Sequence, residues 1–196
     1  MHKLSTSFIL GYHGCSAATA EKLLSGVPFK PSANAYDWLG DGVYFWESNP
    51  QRGLEFYRET QARKNRPTND AAVVGAVVEL GYCLDLSTST GIGAVKAAYE
   101  NMAARLKKLG EPLPQNRLGK DKVLRQLDRN VFNYLHAFRD VEELEPFDTV
   151  RGFFTEGDPA FPGAGFMEKT HVQIAVRELA CIKGVFRVPL ADLSPA

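Results

Sequence analysis

The chain has 196 residues, 44% hydrophobic and 23% charged, which suits one globular domain able to bury a sizeable core. Its 23 Lys and Arg cancel its 23 Asp and Glu, so no global field favours nucleic acid or an anionic membrane, and only a local basic patch is left open. The 3 cysteines, Cys15, Cys83 and Cys181, have neither a C-x-x-C pair nor metal-ligand spacing to His, which reads as reduced thiols, a cytoplasmic location and no metal site.

The first expected strand is 7–12 (SFILGY), ending at His13-Gly14; its apolar run is too short for a signal segment, and no stretch of the chain approaches a membrane span. SAATAEKLLSG then reads as a helix, with Ser16 or Thr19 as N-cap, Ala20, Leu23 and Leu24 on its apolar face and Gly26 as the stop. The Pro-, Asn-, Asp- and Gly-rich VPFKPSANAYDWLGDG is a loop that delivers the chain into a short strand, VYFWE. A helix over 52–64 and a turn at RPTND follow. AAVVGAVVELG (71–81) is β-branched and almost continuously apolar, as a strand buried on both faces would be.

Two amphipathic segments, 92–109 and 120–139, flank the Pro-rich GEPLPQNRLG loop and carry 9 of the 23 Lys and Arg. FDTVRGFF, KTHVQIAVR and ACIKGVFRV close the sheet as strands, the last two joined by a short turn. The expected fold class is therefore α+β: one domain over 1–196, strands at both ends of the chain, and a helical segment at about 92–140. No internal repeat or low-complexity tract occurs.

Strand parity selects the candidate site residues, because alternate side chains face opposite sides of a sheet. In THVQIAVR, Val172, Ile174 and Val176 share a face that packs. His171, Gln173 and Ala175 share the other, which displays two polar groups beside a small residue that leaves space; an ordinary solvent-facing strand would show the same pattern. Ile9, Gly11 and His13 lie on one face of the first strand, and Gly14 lets a ligand approach the backbone directly. Gly40 and Gly42 admit a tight, positive-φ entry into VYFWE, where Val43 and Phe45 anchor the core while Tyr44 and Trp46 point the other way. Tyr44 offers a platform for a flat ring. Trp38 and Trp46 read as braces of the turn. Cys15 beside His13 is a weak candidate for a nucleophile–base pair.

His13-Gly14, then Gly40-Asp41-Gly42-Val43-Tyr44-Phe45, then a late strand carrying a polar residue resemble, in that order, the ADP-ribosyltransferases of the diphtheria-toxin and poly(ADP-ribose) polymerase type. The resemblance implies a split antiparallel sheet core and NAD⁺ as a substrate held without a Rossmann unit, whose strand-G-x-G-x-x-G-helix pattern is absent. It implies that His13 hydrogen-bonds the adenosine ribose, that the Gly14 backbone holds the carboxamide, and that Tyr44, after Gly42, stacks on the nicotinamide. The family's glutamate position falls on Gln173, with His171 on the same face. Glu156 in FFTEGDP is the loop acid that supplies the missing charge, and Glu168 is a further candidate.

The implied activity is mono-ADP-ribosyl transfer, toxin-like or defence-associated, to a macromolecular acceptor, protein or nucleic acid. The alternatives are an NAD⁺ glycohydrolase and an inactive NAD⁺- or ADP-ribose-binding or partner-docking module. An antitoxin or inhibitory partner fits the same reading, and a membrane does not. Lys107, Lys108, Lys120, Lys122, Arg125 and Arg129 are either a nucleic-acid-facing side or a solvated helical face.

Overall fold

The computed structural model describes residues 8–34, 36–117, 119, 121 and 123–193. Capping chemistry sets the start of each long helix except the last. Helix α1 (Ala17–Leu24) follows strand β1 (Phe8–Ser16), and Ser16 Oγ accepts from the Thr19 backbone N–H, so Ser16 is the N-cap. After β2 (Val43–Glu47), Asn49 caps α2 (Pro50–Arg63), with Pro50 in the first turn, where its missing N–H costs nothing. Strands β3 (Ala71–Glu79) and β4 (Cys83–Asp85) lead to α3 (Ser89–Leu109), which begins at the Thr88 cap and ends at Gly110, φ 70°.

A two-residue hairpin, β5 (Asn116–Arg117) with β6 (Leu124–Arg125), precedes α4 (Gln126–Val141). The chain finishes with β7 (Thr149–Phe154), β8 (His171–Val176) and β9 (Ile182–Arg187). The fold is α+β, with strands at both ends of the chain and helices in the middle.

The strands form one seven-stranded sheet in the order β4-β7-β8-β2-β1-β3-β9. It is mixed: β4 runs parallel to β7, and every other pair is antiparallel. Pairing is uneven at its centre. β1 is hydrogen-bonded to β3 along its whole length, Phe8 to Ser16, but to β2 only at Gly11↔Glu47 and Tyr12↔Trp46. Beyond Tyr12 the two strands part, and the sheet opens into two halves.

Two apolar clusters cover the faces of the sheet. One joins Val43, Phe45, Val74, Ala76, Val78, Ile174 and Val176 to Phe29 and to Ala20 and Leu23 of α1. The other joins Leu39, Val150 and Ala175 to Ala98 and Met102 of α3 and Val131, Phe132 and Leu135 of α4. Full burial of Phe45, 0% exposed, contributes on the order of 2 kcal/mol from its side chain alone.

Several boundaries differ from the sequence reading. His13 and Gly14 lie inside β1, which runs on to Ser16 because β3 pairs with it to the end. The second helical segment starts at Gln126, since the residues just before it are drawn into β6. Lys120 and Lys122 lie outside the described residues. As expected, a short turn joins β8 and β9, here the 3-10 segment Leu179–Cys181, and it carries the chain to the far edge, where β9 pairs with β3. Ala175 is fully buried in the apolar cluster that includes Leu39, and does not line the cleft that Gln173 reaches.

Candidate functional site

Where β1 and β2 part, a cleft of about 220 Å³ opens toward solvent. His13, Gly14, Gly42, Tyr44, Glu156 and Gln173 all line it. Strict parity would put His13 with Phe45 and away from Tyr44, and its ring does lie against Phe29 and Phe45, at centroid distances of 5.4 and 5.9 Å. The parting of the strands reconciles the two. His13 Nδ1 lies 2.9 Å from the Tyr44 carbonyl, and as its donor leaves Nε2 as an acceptor on a ring that lines the cleft. Burial lowers the His13 pKa, partly offset by this bond, so the neutral ring is favoured.

The two candidate glycines have packing reasons of their own. A Cβ on Gly14 would collide with the Gly53 carbonyl of α2, so glycine there permits the close approach of that helix. Gly40 has φ +87°, the left-handed value the turn requires, but Gly42 does not. At Gly42 a Cβ would sit 2.9 Å from the Val176 carbonyl, and contact with β8 is what excludes a side chain.

Tyr44 braces this turn in addition to Trp38, whose indole N–H is anchored on β8. The Tyr44 hydroxyl donates to the Gly40 carbonyl and accepts from the Leu39 N–H, both at 2.8 Å. Burial, then the nearby Asp37 carboxylate, hold the phenol pKa well above its ordinary value, so it stays protonated and its ring is fixed against the cleft. From the other side, Asp41 Oδ1 accepts from Arg129 Nε and Nη2 (3.1 and 2.8 Å) and from Asn133 Nδ2 (3.1 Å), while Asn133 Oδ1 accepts from the Asp41 N–H. Helix α4 thereby clamps the turn that positions Tyr44.

On β8 a hydrogen-bonded relay crosses the floor. His171 Nδ1 donates to the Lys169 carbonyl at 2.6 Å, which leaves His171 Nε2 to accept from Gln173 Nε2 at 3.0 Å. Gln173 Oε1 accepts from Trp38 Nε1 at 2.8 Å. The amide orientation and the histidine tautomer are mutually determined. Gln173 reaches the cleft; His171, stacked on Phe154 at 5.1 Å, supports it from behind and is not among the lining residues. Burial lowers the His171 pKa, against weaker opposing effects of the Lys169 carbonyl and Glu156.

Glu156 does enter the cleft from the loop after β7, and its Oε2 accepts from Arg52 Nη2 at 3.1 Å. Arg52 is only 5% exposed and lies also within 3.3 Å of Glu59 and 3.9 Å of Glu55. Glu168 is exposed and absent from the lining. The loop folds on itself through a Pro159↔Met167 bridge, leaving Glu156 at its base.

Sequence reasoning missed Arg52, the Trp38–Gln173 bond and the Asp41 clamp. The signal for Arg52 was its spacing to Glu55 and Glu59 on one helix face; the other two rest on separations of 135 and 88 residues that no local pattern encodes. Cys15 is excluded as a nucleophile by burial, which pushes its thiol up to about 12. Arg125 and Arg129 do not share a solvated basic face with Lys107 and Lys108. Arg125 lies over the rings of Trp38 and Phe154 and pairs with Asp128, Arg129 holds Asp41, and the two lysines are in the last turn of α3.

Among the described residues no cluster of His, Cys, Asp and Glu is arranged to hold a metal ion, and no helix is long and apolar enough to cross a membrane. No family model matches the chain, and no solved structure matches it. The chain is similar to an uncharacterized protein of Methanocaldococcus jannaschii, 26% identical over 147 residues. That alignment covers 73% of this chain and 63% of the relative, so the chain spans less than two thirds of that protein's length.

Proposed function

We propose that the chain is an NAD⁺-dependent mono-ADP-ribosyltransferase acting on a macromolecular acceptor. One observation carries this reading: six residues singled out from separate parts of the sequence, from His13 to Gln173, line a single cleft. In it, the immobilised Tyr44 ring is the face for the nicotinamide. The Gly14 backbone serves the carboxamide, and His13 Nε2 accepts from a ribose hydroxyl.

Gln173, its amide held by Trp38 and His171, orients the nicotinamide ribose through its remaining N–H. When the ribose C1′–nicotinamide bond breaks, its electron pair leaves with the nicotinamide, whose ring loses its charge. Positive charge then develops at C1′, and Glu156 supplies the negative field there that Gln173 lacks. An acceptor heteroatom closes the new bond at C1′ and loses its proton to water or Glu156. A neutral glutamine at the third position suits transfer of a single unit and not elongation.

Incubation of the full chain with labelled NAD⁺ and cell lysate tests the reading. Label on protein or nucleic acid supports transfer, with the labelled fraction naming the acceptor class. Free ADP-ribose as the sole product means glycohydrolysis. Failure to bind NAD⁺ at all sinks the family reading.

A further inference from the structure

Electrostatic balance is uneven around the cleft although the chain as a whole is neutral. Four cations line it, Lys30, Arg63, Lys64 and Arg125, against two carboxylates, Asp37 and Glu156. Glu156 shares Arg52 with Glu55 and Glu59, and Arg125 is paired with Asp128. Asp37 is only 4% exposed, and its carboxylate is engaged by the Asn34 N–H. Lys30, Arg63 and Lys64 have no carboxylate partner among the described residues, and all three are exposed at the mouth.

The C-terminal dipole of α2 explains why Arg63 and Lys64 are tolerated there. It does not explain their orientation. The Arg63 guanidinium sits over the Phe56 ring at 5.9 Å, and Lys64 Nζ over the Tyr36 ring at 5.6 Å and 3.4 Å from its hydroxyl. Phe56 and Tyr36 both line the cleft, with ring centroids 6.4 Å apart, and Phe56 continues to Trp46 at 4.9 Å. Cationic heads are thus held at the edge of an aromatic shelf, the pairing of surfaces that suits a ligand with a flat base and a phosphate.

We propose that Lys30, Arg63 and Lys64 form a phosphate-binding rim of the cleft, which takes either the diphosphate of a dinucleotide or the phosphodiester of a nucleic-acid strand. The rim stands on the cleft's own charges; only its diphosphate form rests on the NAD⁺ reading. Guanidinium and ammonium groups recognise phosphoryl oxygens by charge-assisted hydrogen bonds, and here Arg63 and Lys64 each keep donors beyond the one given to Thr60 Oγ1 or to the Tyr36 hydroxyl.

The test compares the full chain with Arg63→Gln/Lys64→Gln and with Lys30→Gln, all at exposed positions, with thermal melting as the folding control. The probes are inorganic pyrophosphate, ADP-ribose, phosphate-free nicotinamide riboside, and a short single strand of DNA or RNA. The expected result is that the double variant binds ADP-ribose or the strand at least about tenfold more weakly, while nicotinamide riboside is unaffected.

A strand that pyrophosphate displaces, with a salt dependence whose slope falls by about 0.7 for each cation removed, assigns the rim to nucleic acid. Loss confined to ADP-ribose assigns it to the dinucleotide. Wild-type affinity of all variants for every phosphate-bearing probe overturns the rim. Nicotinamide release from NAD⁺ by the wild-type chain, followed in parallel, separates the two proposals: a working rim without release sinks transfer alone, and release with an indifferent rim sinks the rim alone.

Discussion

The two walls of the cleft are built on opposite economies of hydrogen bonding. On the β2/β8 wall the site polar groups are committed: Tyr44 to the turn, Gln173 to Trp38 and His171, His171 to Lys169. Across from it, Arg63 and Lys64 at the end of α2, with Lys30 from the loop after α1, have no carboxylate partner among the described residues. A wall whose donors and acceptors are already matched fixes a shape, and a wall with unmatched charge attracts a ligand. Between them stands Arg52, which belongs to α2 but holds Glu156 of the other side.

Removing that link is the strongest way to break the contrast. Arg52→Ala leaves Glu156, 14% exposed, without its partner, and should cost about 3 kcal/mol in urea unfolding; this is the low end for a broken buried pair because Glu59 is 32% exposed and water screens it. Gln173→Ala comes next. It strands the Trp38 N–H and the His171 acceptor, costing about 1–3 kcal/mol, and should reduce nicotinamide release roughly a hundredfold; full activity would move the role to Glu156. Gln173→Glu sharpens the same point. A carboxylate accepts from Trp38 and favours a protonated His171, so NMR titration should find the His171 pKa raised relative to the wild type.

Tyr44→Phe keeps the ring and removes both hydroxyl bonds to the turn. The expected loss is about 1 kcal/mol of stability and a several-fold weaker affinity for NAD⁺ by calorimetry; unchanged affinity would return Tyr44 to a purely structural role. The smallest effect concerns His136, 4% exposed, with neither ring nitrogen partnered and its pKa lowered to about 3 by burial and the nearby Arg177 and Arg139.

His13, His136 and His171 all have lowered pKa values in the fold, so the unfolded chain binds the protons they refuse. Stability should therefore be fully present above pH ~6.5 and decline as the pH falls below it, by at most ~1.4 kcal/mol per pH unit for each histidine. His136→Phe should make that decline shallower and raise the neutral-pH Tm slightly. An unchanged slope would remove His136 from the account.

Local chemistry made much of this readable in the sequence. The Ser16 cap, the strand ends of VYFWE, the β-branched central strand and the face shared by Tyr44, Trp46, His171 and Gln173 follow from propensity and parity, and the Tyr44↔Ala175 and Trp46↔Gln173 register agrees with them. What parity alone misplaced is His13. Whether two neighbouring strands stay paired or part depends on what packs between them, here the approach of α2 to Gly14, and no alternation of residues in β1 encodes it. The destination of β9 was hidden for a similar reason, because a short turn after β8 says nothing about which edge the chain will cross to.

Both of the chain's tryptophans, Trp38 and Trp46, line this cleft, and Trp46 keeps a buried indole N–H without a partner. The tryptophan emission of the protein therefore originates from one place. Any molecule that enters the cleft changes the surroundings of both fluorophores at once. The protein carries its own optical gauge of occupancy, readable without label, and Trp38→Phe would divide the signal between floor and shelf.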